Sequence, residues 1–214
     1  MSKWQKEKTI VLETAKKMLD KGLVSGTEGN VSLRLPPEGG RELLVITPRI
    51  NYELFTVDDM QVIDFEVNHV EGDLPPSIES PIHIGVYQAK KAVNAVVHTH
   101  SAFASTAAVL GLDIPVIMDE QASVIGGEIR VSRYALPGSL DLMRNALAAL
   151  EGRSAAILRN HGMIGIGRTM PDALNACVLT EKMAMIYLRA LGVGKVEPLS
   201  AEAVEVGRSF YDDL

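Results

Sequence analysis

Segments with the periodicity of α-helices alternate along this chain of 214 residues with segments that have the periodicity of β-strands. Between residues 4 and 21, apolar side chains recur at three- and four-residue steps, which predicts an amphipathic helix. Residues 31–35 alternate apolar with polar side chains and predict a strand that pairs with residues 43–46. Because such an alternation favours helices layered on a sheet, we expect an α/β fold with a central mixed or antiparallel sheet flanked by helices.

The rest of the chain continues this alternation. We predict further strands at residues 61–65, 95–97, 114–117, 128–132, 155–158 and 163–166, and further helices at residues 80–91, 101–110, 138–150 and 171–191. The residues Ser80 and Pro81 favour the start of a helix at that point. The length of the chain, and the lack of internal repeats in it, predict one domain over residues 1–214.

Composition and charge exclude several classes of function. Asp plus Glu number 27 against 21 for Lys plus Arg, and the net charge of -6 argues against nucleic acid as a partner. No apolar run approaches the roughly 20 residues that a membrane helix needs, so we expect no membrane partner. The single cysteine, Cys177, and the lack of an apolar signal-peptide core predict a cytoplasmic protein.

Histidines follow two of the apolar predicted strands. His98 and His100 close one of them, and residues i and i+2 of a strand project from the same face. His161 follows another, so three of the five histidines share this position. Three neutral imidazoles with an open fourth position are typical of a catalytic zinc site. The alternative is that they are polar residues leaving the core, and we expect His69 and His83 to be structural or solvent-exposed.

Glu79 lies directly before the helix that begins at Ser80. A carboxylate at this position is suited to be a fourth metal ligand or a base beside the metal. The alternative is that it only stabilises the helix N-terminus by interacting with the helix dipole.

The loop at residues 25–30 carries a second group of candidate residues. Its two glycines allow close backbone approach, and Thr27 and Asn30 supply a hydroxyl and an amide. Such a loop is suited to binding an oxyanion through its N–H groups, although a plain connection between helix and strand is the alternative.

Four motifs together resemble those of the class II aldolase/adducin family, over nearly the whole chain. They are Gly-Thr-x-Gly-Asn-x-Ser at residues 26–32, Pro-Ser-x-Glu at 76–79, Val-His-x-His at 97–100 and Asn-His-Gly at 160–162. The resemblance implies a small-molecule substrate and a homotetramer with active sites at subunit interfaces.

The resemblance also implies roles for individual residues. Zn2+, or another divalent ion such as Mn2+ or Co2+, is expected to be held by His98, His100 and His161. Glu79 is the position that ligates the resting metal and then moves a proton in the aldol step. The positions expected to bind the phosphate and enediolate oxygens of the substrate are Thr27, Gly29, Asn30 and Ser77.

Two segments near the expected substrate depart from the family pattern. Relatives usually have Thr/Ser-Pro-Ser/Thr-Gly where residues 47–50 read Thr-Pro-Arg-Ile, and we expect Thr47 and Arg49 to contact the substrate. Ile78 stands where sugar-phosphate members often have a second serine. A phosphate would therefore lack one hydrogen-bond donor in the pocket. The planar guanidinium of Arg49 suits a carboxylate as well as it suits a phosphate. We predict weak handling of ketose 1-phosphates and a preference for a carboxylate or a differently placed anion.

Two residues are candidates for the catalytic acid. Asp119 lies where aldolases of the family have a tyrosine acid, and Tyr211 lies near the C-terminus, where some relatives use another tyrosine. A solvated loop acid and a disordered chain end are the respective alternatives.

These features predict a metal-dependent aldolase-type lyase that cleaves a small sugar phosphate or a related polyhydroxylated carbonyl compound. Glu79 favours carbon–carbon bond cleavage, because the epimerases of the family usually have aspartate there. One alternative is a decarboxylase or epimerase of the same family that acts on a carboxylate-bearing substrate. A more distant alternative is an adducin-like interaction module without catalysis, against which the intact set of histidines argues.

Overall fold

The computed structural model describes residues 2–211, and one antiparallel sheet runs through this part of the chain. Its strands are β1 (Asn30–Glu38), β2 (Arg41–Ile46), β3 (Gln61–Asp64), β4 (His69–Glu71), β5 (Ala95–Thr99), β6 (Ala155–Leu158) and β7 (Gly162–Gly167). Their order across the sheet is β4-β3-β2-β1-β5-β7-β6, and every neighbouring pair is antiparallel. Strands β1, β5 and β7 therefore lie inside the sheet and not at its edges.

Helices accompany this sheet on both sides. The α-helices are α1 (Gln5–Asp20), α2 (Ser80–Ala89), α3 (Ala102–Leu110), α4 (Asp119–Ile125), α5 (Leu140–Ala149), α6 (Met170–Val193) and α7 (Ala201–Arg208). Two short 3-10 helices, Tyr52–Leu54 and Val57–Asp59, lie between β2 and β3. Within residues 2–211, none of the helices combines the length and the apolar character needed to cross a bilayer.

The two faces of the sheet carry separate apolar cores, because successive side chains of a strand point to opposite faces. Val97 of β5 belongs to the core that α1, α3 and α6 complete, whereas its neighbour Val96 belongs to the core that α2 and α5 complete. Since both faces are covered, the central strands have continuous apolar runs instead of an alternating pattern. The predicted fold class, an α/β arrangement with a central sheet flanked by helices, is confirmed.

Some predicted elements differ from the structure. Residues 114–117 and 128–132, predicted as strands, form only isolated bridges, such as the one between Ile114 and Ile129. Helices α4 and α7 were not predicted, because seven and eight residues are too few for helical periodicity to stand out. His69, expected to be structural or solvent-exposed, is exposed and begins the three-residue strand β4 at the edge of the sheet.

Candidate metal centre and active-site pocket

Three histidine rings, those of His98, His100 and His161, form a cluster at the C-terminal end of β5. His98 lies in β5, His100 follows that strand, and His161 lies in the turn that connects β6 to β7. This turn lies beside the end of β5 because β7 pairs with β5 in antiparallel register. The ring centroids are 4.8 Å apart for His98 and His100, 4.9 Å for His98 and His161, and 5.0 Å for His100 and His161. The strand-end histidines thus lie together.

Glu79 faces the histidine cluster from the N-terminal end of α2. Its Oε2 lies 3.1 Å from Nε2 of His98, and its Oε1 lies 3.1 Å from Nε2 of His161. The carboxylate makes no capping hydrogen bond to α2, which argues against a purely helix-stabilising role. One ligand atom from each of the four residues, Glu79 and the three histidines, lies within 4.8 Å of all the others.

The donor atoms of this site suit a divalent metal. Nδ1 of His98 donates to the carbonyl oxygen of Met163 at 2.8 Å, so the lone pair of Nε2 points into the cluster. Glu79 Oε1 is a buried atom without a hydrogen-bond partner, a condition that a bound ion would explain. Three imidazole nitrogens and a carboxylate oxygen form a donor set that zinc and other divalent first-row metals accept.

Charge and burial together set the ionisation of the cluster. Burial disfavours the charged form of Glu79, but His98 and His161 outweigh this effect and hold the pKa of the carboxyl well below its usual range. Burial also disfavours a charge on His98, yet the carboxylate of Glu79 raises the pKa of this imidazole. Burial and repulsion from His98 and His161 lower the pKa of His100 to about 3. At neutral pH, an ionised carboxylate therefore lies beside a neutral His100, as metal ligation requires.

Strand β1 brings a further polar group to Glu79. Asn30 pairs with His98 in the register of β1 and β5, and its Nδ2 donates to Glu79 Oε2 at 2.9 Å. The preceding residue, Gly29, has a φ of +71°, and a Cβ there would lie 2.5 Å from the carbonyl oxygen of His98. Glycine at this position allows the loop before β1 to lie directly against the strand that carries the histidines.

A pocket of about 230 Å³ opens beside the histidine cluster. Ile78 and Pro137 contribute an apolar part of its wall, and the Ile78 side chain is half exposed. The pocket brings together most of the residues that the sequence predicted to form the site, which are Thr27, Gly29, Asn30, Arg49, Ser77, Glu79, His100 and His161.

Besides His98, which is buried behind the pocket wall, three predicted site residues do not line this pocket. Thr47 is buried, and its Oγ1 accepts a hydrogen bond from the backbone N–H of Val31 at 3.2 Å. Asp119 is exposed at the start of α4 and lines a separate cleft with residues of α7. Tyr211 packs against Gly126 at the end of α4. Tyr211 also lines a cleft with Gly167, which lies at the end of β7 opposite to His161, so a single chain brings neither Asp119 nor Tyr211 into the pocket beside the histidine cluster.

Sequence reasoning missed the contact that His83 makes with this site. His83 is fully buried in α2, its Nε2 is hydrogen-bonded to Asn30 Oδ1, and its Nδ1 lies 2.6 Å from Ser32 Oγ. Burial, with a contribution from the charge of His98, lowers the pKa of His83 to about 3. The feature of the sequence that could have indicated this contact is the spacing of four residues from Glu79 to His83, which puts both residues on one face of a helix.

Comparisons with known proteins identify the family of this chain. A family model described as the Class II Aldolase and Adducin N-terminal domain matches residues 9–188. The 5-methylthioribulose-1-phosphate/5-deoxyribulose-1-phosphate aldolase of Rhodospirillum rubrum is 36% identical over 195 residues, which cover 91% of this chain and 86% of that protein. The L-fuculose phosphate aldolase of Escherichia coli (strain K12) is 34% identical over 198 residues, which cover 92% and 89%. A solved L-fuculose 1-phosphate aldolase matches with a TM-score of 0.89 at 31% identity, covering 98% of this chain and 96% of that one.

The chain therefore belongs to the class II aldolase and adducin family, as its four motifs predicted. The relatives described above are sugar-phosphate aldolases, and they bear out the predicted class of function, a carbon–carbon lyase of the class II aldolase type. The cluster of Glu79, His98, His100 and His161 is consistent with a metal-dependent member of that class.

Proposed function

We propose that this protein is a metal-dependent aldolase that cleaves a small sugar phosphate. The observation that carries the proposal is the convergence of Glu79 and three histidine nitrogens within 4.8 Å of one another, beside a pocket lined by hydroxyl, amide and guanidinium groups. The names of the relatives, which are aldolases of deoxyribulose and fuculose phosphates, support this class of substrate.

The metal that we propose is Zn2+, with Mn2+ or Co2+ as alternatives. His98, His100 and His161 would hold it, and Glu79 would be a further ligand of the resting site. A divalent metal held there supplies Lewis-acid chemistry, which favours the negative charge that retro-aldol cleavage leaves on substrate oxygens.

The protein's own residues then have separate tasks in the cleavage. A base takes the proton from the hydroxyl of the departing aldehyde half, the carbon–carbon bond breaks, and the resulting enediolate is protonated at carbon. We assign the protonation at carbon to Glu79, whose Oε1 has no hydrogen-bond partner; because this carboxylate is ionised at rest, it first takes up a proton from solvent and then passes that proton to carbon. Asn30 donates one Nδ2–H to Glu79 and is suited to donate the other to the developing oxyanion.

The anionic end of the substrate is assigned to the mouth of the pocket. Thr27 and Ser77 supply hydroxyl groups and Arg49 supplies a guanidinium, each from a connection between elements. The buried Thr47 contributes by supporting the start of this wall through its bond to Val31.

A second candidate is a decarboxylase or epimerase that acts on a carboxylate-bearing substrate. The specific observation in its favour is that Arg49 and Ile78 both line the pocket, since a planar guanidinium beside an apolar wall suits a carboxylate.

The assembly that we propose is a homotetramer with active sites at subunit interfaces. In such an assembly, Asp119 or Tyr211 of a neighbouring copy would take the hydroxyl proton. The exposure of Asp119, and its position away from the histidine cluster of its own chain, support this arrangement.

We further propose a cytoplasmic protein with one domain over residues 1–214 and without nucleic-acid or membrane partners. The net charge of -6 and the single, buried Cys177 support these assignments.

The test of the proposed function compares zinc-loaded protein with protein treated with a chelator. Both are assayed with 5-deoxyribulose 1-phosphate, L-fuculose 1-phosphate and a panel of β-keto acids and sugar acids. Aldehyde release from a sugar phosphate that depends on the metal is the expected result. Carbon dioxide release from a β-keto acid, with no turnover of either sugar phosphate, would favour the second candidate. Metal-free protein that resists zinc loading would favour an interaction module.

A further inference from the structure

A continuous chain of buried hydrogen bonds leads away from Glu79 into the core between β1 and α2. Its residues, in order, are Tyr87, Ser32, His83, Asn30 and Glu79, and all five are buried. Tyr87 Oη lies 2.7 Å from Ser32 Oγ, and Ser32 Oγ lies 2.6 Å from His83 Nδ1. His83 Nε2 is bonded to Asn30 Oδ1, and Asn30 Nδ2 lies 2.9 Å from Glu79 Oε2.

The ionised carboxylate at one end fixes the direction of this chain. A carboxylate only accepts hydrogen bonds, so Asn30 must present its NH2 group to Glu79. The carbonyl oxygen of the Asn30 amide then faces His83 and must accept, so Nε2 of His83 carries a proton.

The other half of the chain follows from the neutral state of His83. Burial lowers the pKa of this imidazole to about 3, so at neutral pH a proton on Nε2 leaves Nδ1 as an acceptor. Ser32 therefore donates its hydroxyl proton to Nδ1, and the oxygen of Ser32 accepts from the hydroxyl of Tyr87. Every donor in the chain points towards Glu79.

We propose that His83 is a positioning residue that holds the Asn30 carboxamide with its NH2 group, and not its oxygen, directed at Glu79 and the pocket. The oxygen and nitrogen ends of an amide have nearly the same shape, so the backbone of β1 does not choose between the two orientations. Donation from His83 Nε2 favours the same orientation as the carboxylate of Glu79, because it requires Oδ1 on the side of α2, and it continues to do so when Glu79 takes up a proton. In the reversed orientation, the amide oxygen would face a carboxylate and repel the oxyanion of the proposed reaction.

This inference rests on the proposed function only where Asn30 donates to the reacting oxyanion; the orientation itself rests on hydrogen bonds within the protein. A merely structural role for His83, in which any buried polar group suffices, is the competing explanation. The positioning role and the structural role predict different results when the N–H donor at position 83 is moved by about one bond length.

The matched variants are His83→Gln and His83→Asn. The amide nitrogen of glutamine lies near the place of Nε2 and retains a donor to Asn30, whereas that of the shorter asparagine lies near the place of Nδ1. Both variants are assayed as zinc-loaded enzyme with 5-deoxyribulose 1-phosphate and L-fuculose 1-phosphate. We expect kcat of His83→Asn to fall about tenfold or more, but by less than the roughly 10²–10³-fold fall that follows the removal of an oxyanion donor itself. KM and zinc content are expected to stay unchanged, and His83→Gln to keep kcat near the wild-type value.

A spectroscopic measurement tests the orientation without any turnover. In zinc-loaded protein with ¹⁵N-labelled histidine, the ring nitrogens of His83 are expected to report a protonated Nε2 and a bare Nδ1. Ser32→Ala removes the donor to Nδ1 and is expected to raise the share of the other tautomer and to lower kcat, even if the His83 variants do not fold.

Two outcomes would overturn the inference: a proton on Nδ1 of His83 in the wild-type protein, or equal kcat in His83→Asn and His83→Gln. If neither sugar phosphate turns over, the proposed function fails, while the ¹⁵N measurement still decides the orientation of Asn30.

Discussion

Replacing Gly29 by alanine tests how strictly the loop before β1 depends on its contact with β5. Gly29 has a φ of +71°, and the added Cβ would lie 2.5 Å from the carbonyl oxygen of His98 and 2.8 Å from Cγ1 of Val24. The Val24 methyl group is able to move, whereas the carbonyl oxygen belongs to a strand in the interior of the sheet. The left-handed backbone costs an L-residue about 1–2 kcal/mol, and overpacking adds about 1–3 kcal/mol. We therefore expect Gly29→Ala to lower the free energy of unfolding by about 2–5 kcal/mol.

Gly26→Ala is the matched control for this prediction. Gly26 lies in the same loop with a φ of +56°, but a Cβ there would meet nothing within 4 Å. The free energy of unfolding of Gly26→Ala is therefore expected to fall only by the cost of the left-handed backbone, about 1–2 kcal/mol. Urea unfolding of the two metal-free variants measures the difference, and zinc titration is expected to show weaker binding only in Gly29→Ala, where His98 must shift. Equal losses of stability in the two variants would refute the close approach of the loop to β5.

Four further predictions concern the site. His100→Ala should abolish stoichiometric zinc in elemental analysis, and undiminished zinc would remove the histidine cluster as the metal site. Glu79→Gln should keep the fold, measured by circular dichroism, but lower turnover about a hundredfold or more because it loses a positioned acid–base group; near-normal turnover with bound metal contradicts this role. Arg49→Ala should lower kcat/KM by about tenfold or more, the value of a charged hydrogen bond of roughly 1.5–3 kcal/mol, and most for carboxylate-bearing substrates. High efficiency on a ketose 1-phosphate without Arg49 would show that the neutral donors suffice. Light scattering should give the mass of a tetramer, and a fully active 23.1 kDa monomer would rule out shared active sites.

The candidate metal ligands were accessible from the sequence because the positions of the histidines follow from strand geometry. His98 and His161 come at the ends of the apolar runs of β5 and β6, and these two strands run in the same direction because both pair with β7 in antiparallel register, so their C-terminal ends lie at the same end of the sheet. Glu79 was accessible as a carboxylate before a helix, but the choice between ligand and helix stabiliser needed its 3.1 Å distances to the histidines. The local sequence pattern thus predicted which side chains are candidate ligands, and the pairing of the strands determined which of these side chains lie close together.

Other parts of the site were not accessible in this way. His83 lies in a helix in which most side chains are buried, so only its four-residue spacing from Glu79 marked it, and that spacing does not reveal its partners on β1. Asp119 lies in a cleft beside α7 and Tyr211 in one beside the end of β7, and neither α4 nor α7 has a periodic pattern long enough to predict. The short bridges at Ile114 and Val131 likewise resembled strands in composition but lack the pairing that extends one.

The candidate metal ligands and the wall of the pocket lie on different kinds of backbone. His98 lies in a strand that is covered by helices on both faces of the sheet, whereas Thr27, Arg49 and Ile78 lie in connections between elements. Connections accept substitutions and insertions that a buried strand does not. Selection can therefore replace the groups that recognise a substrate while it preserves the chemistry at the end of β5. A library intended to give this scaffold a new substrate should vary those three connections and leave the strands unchanged.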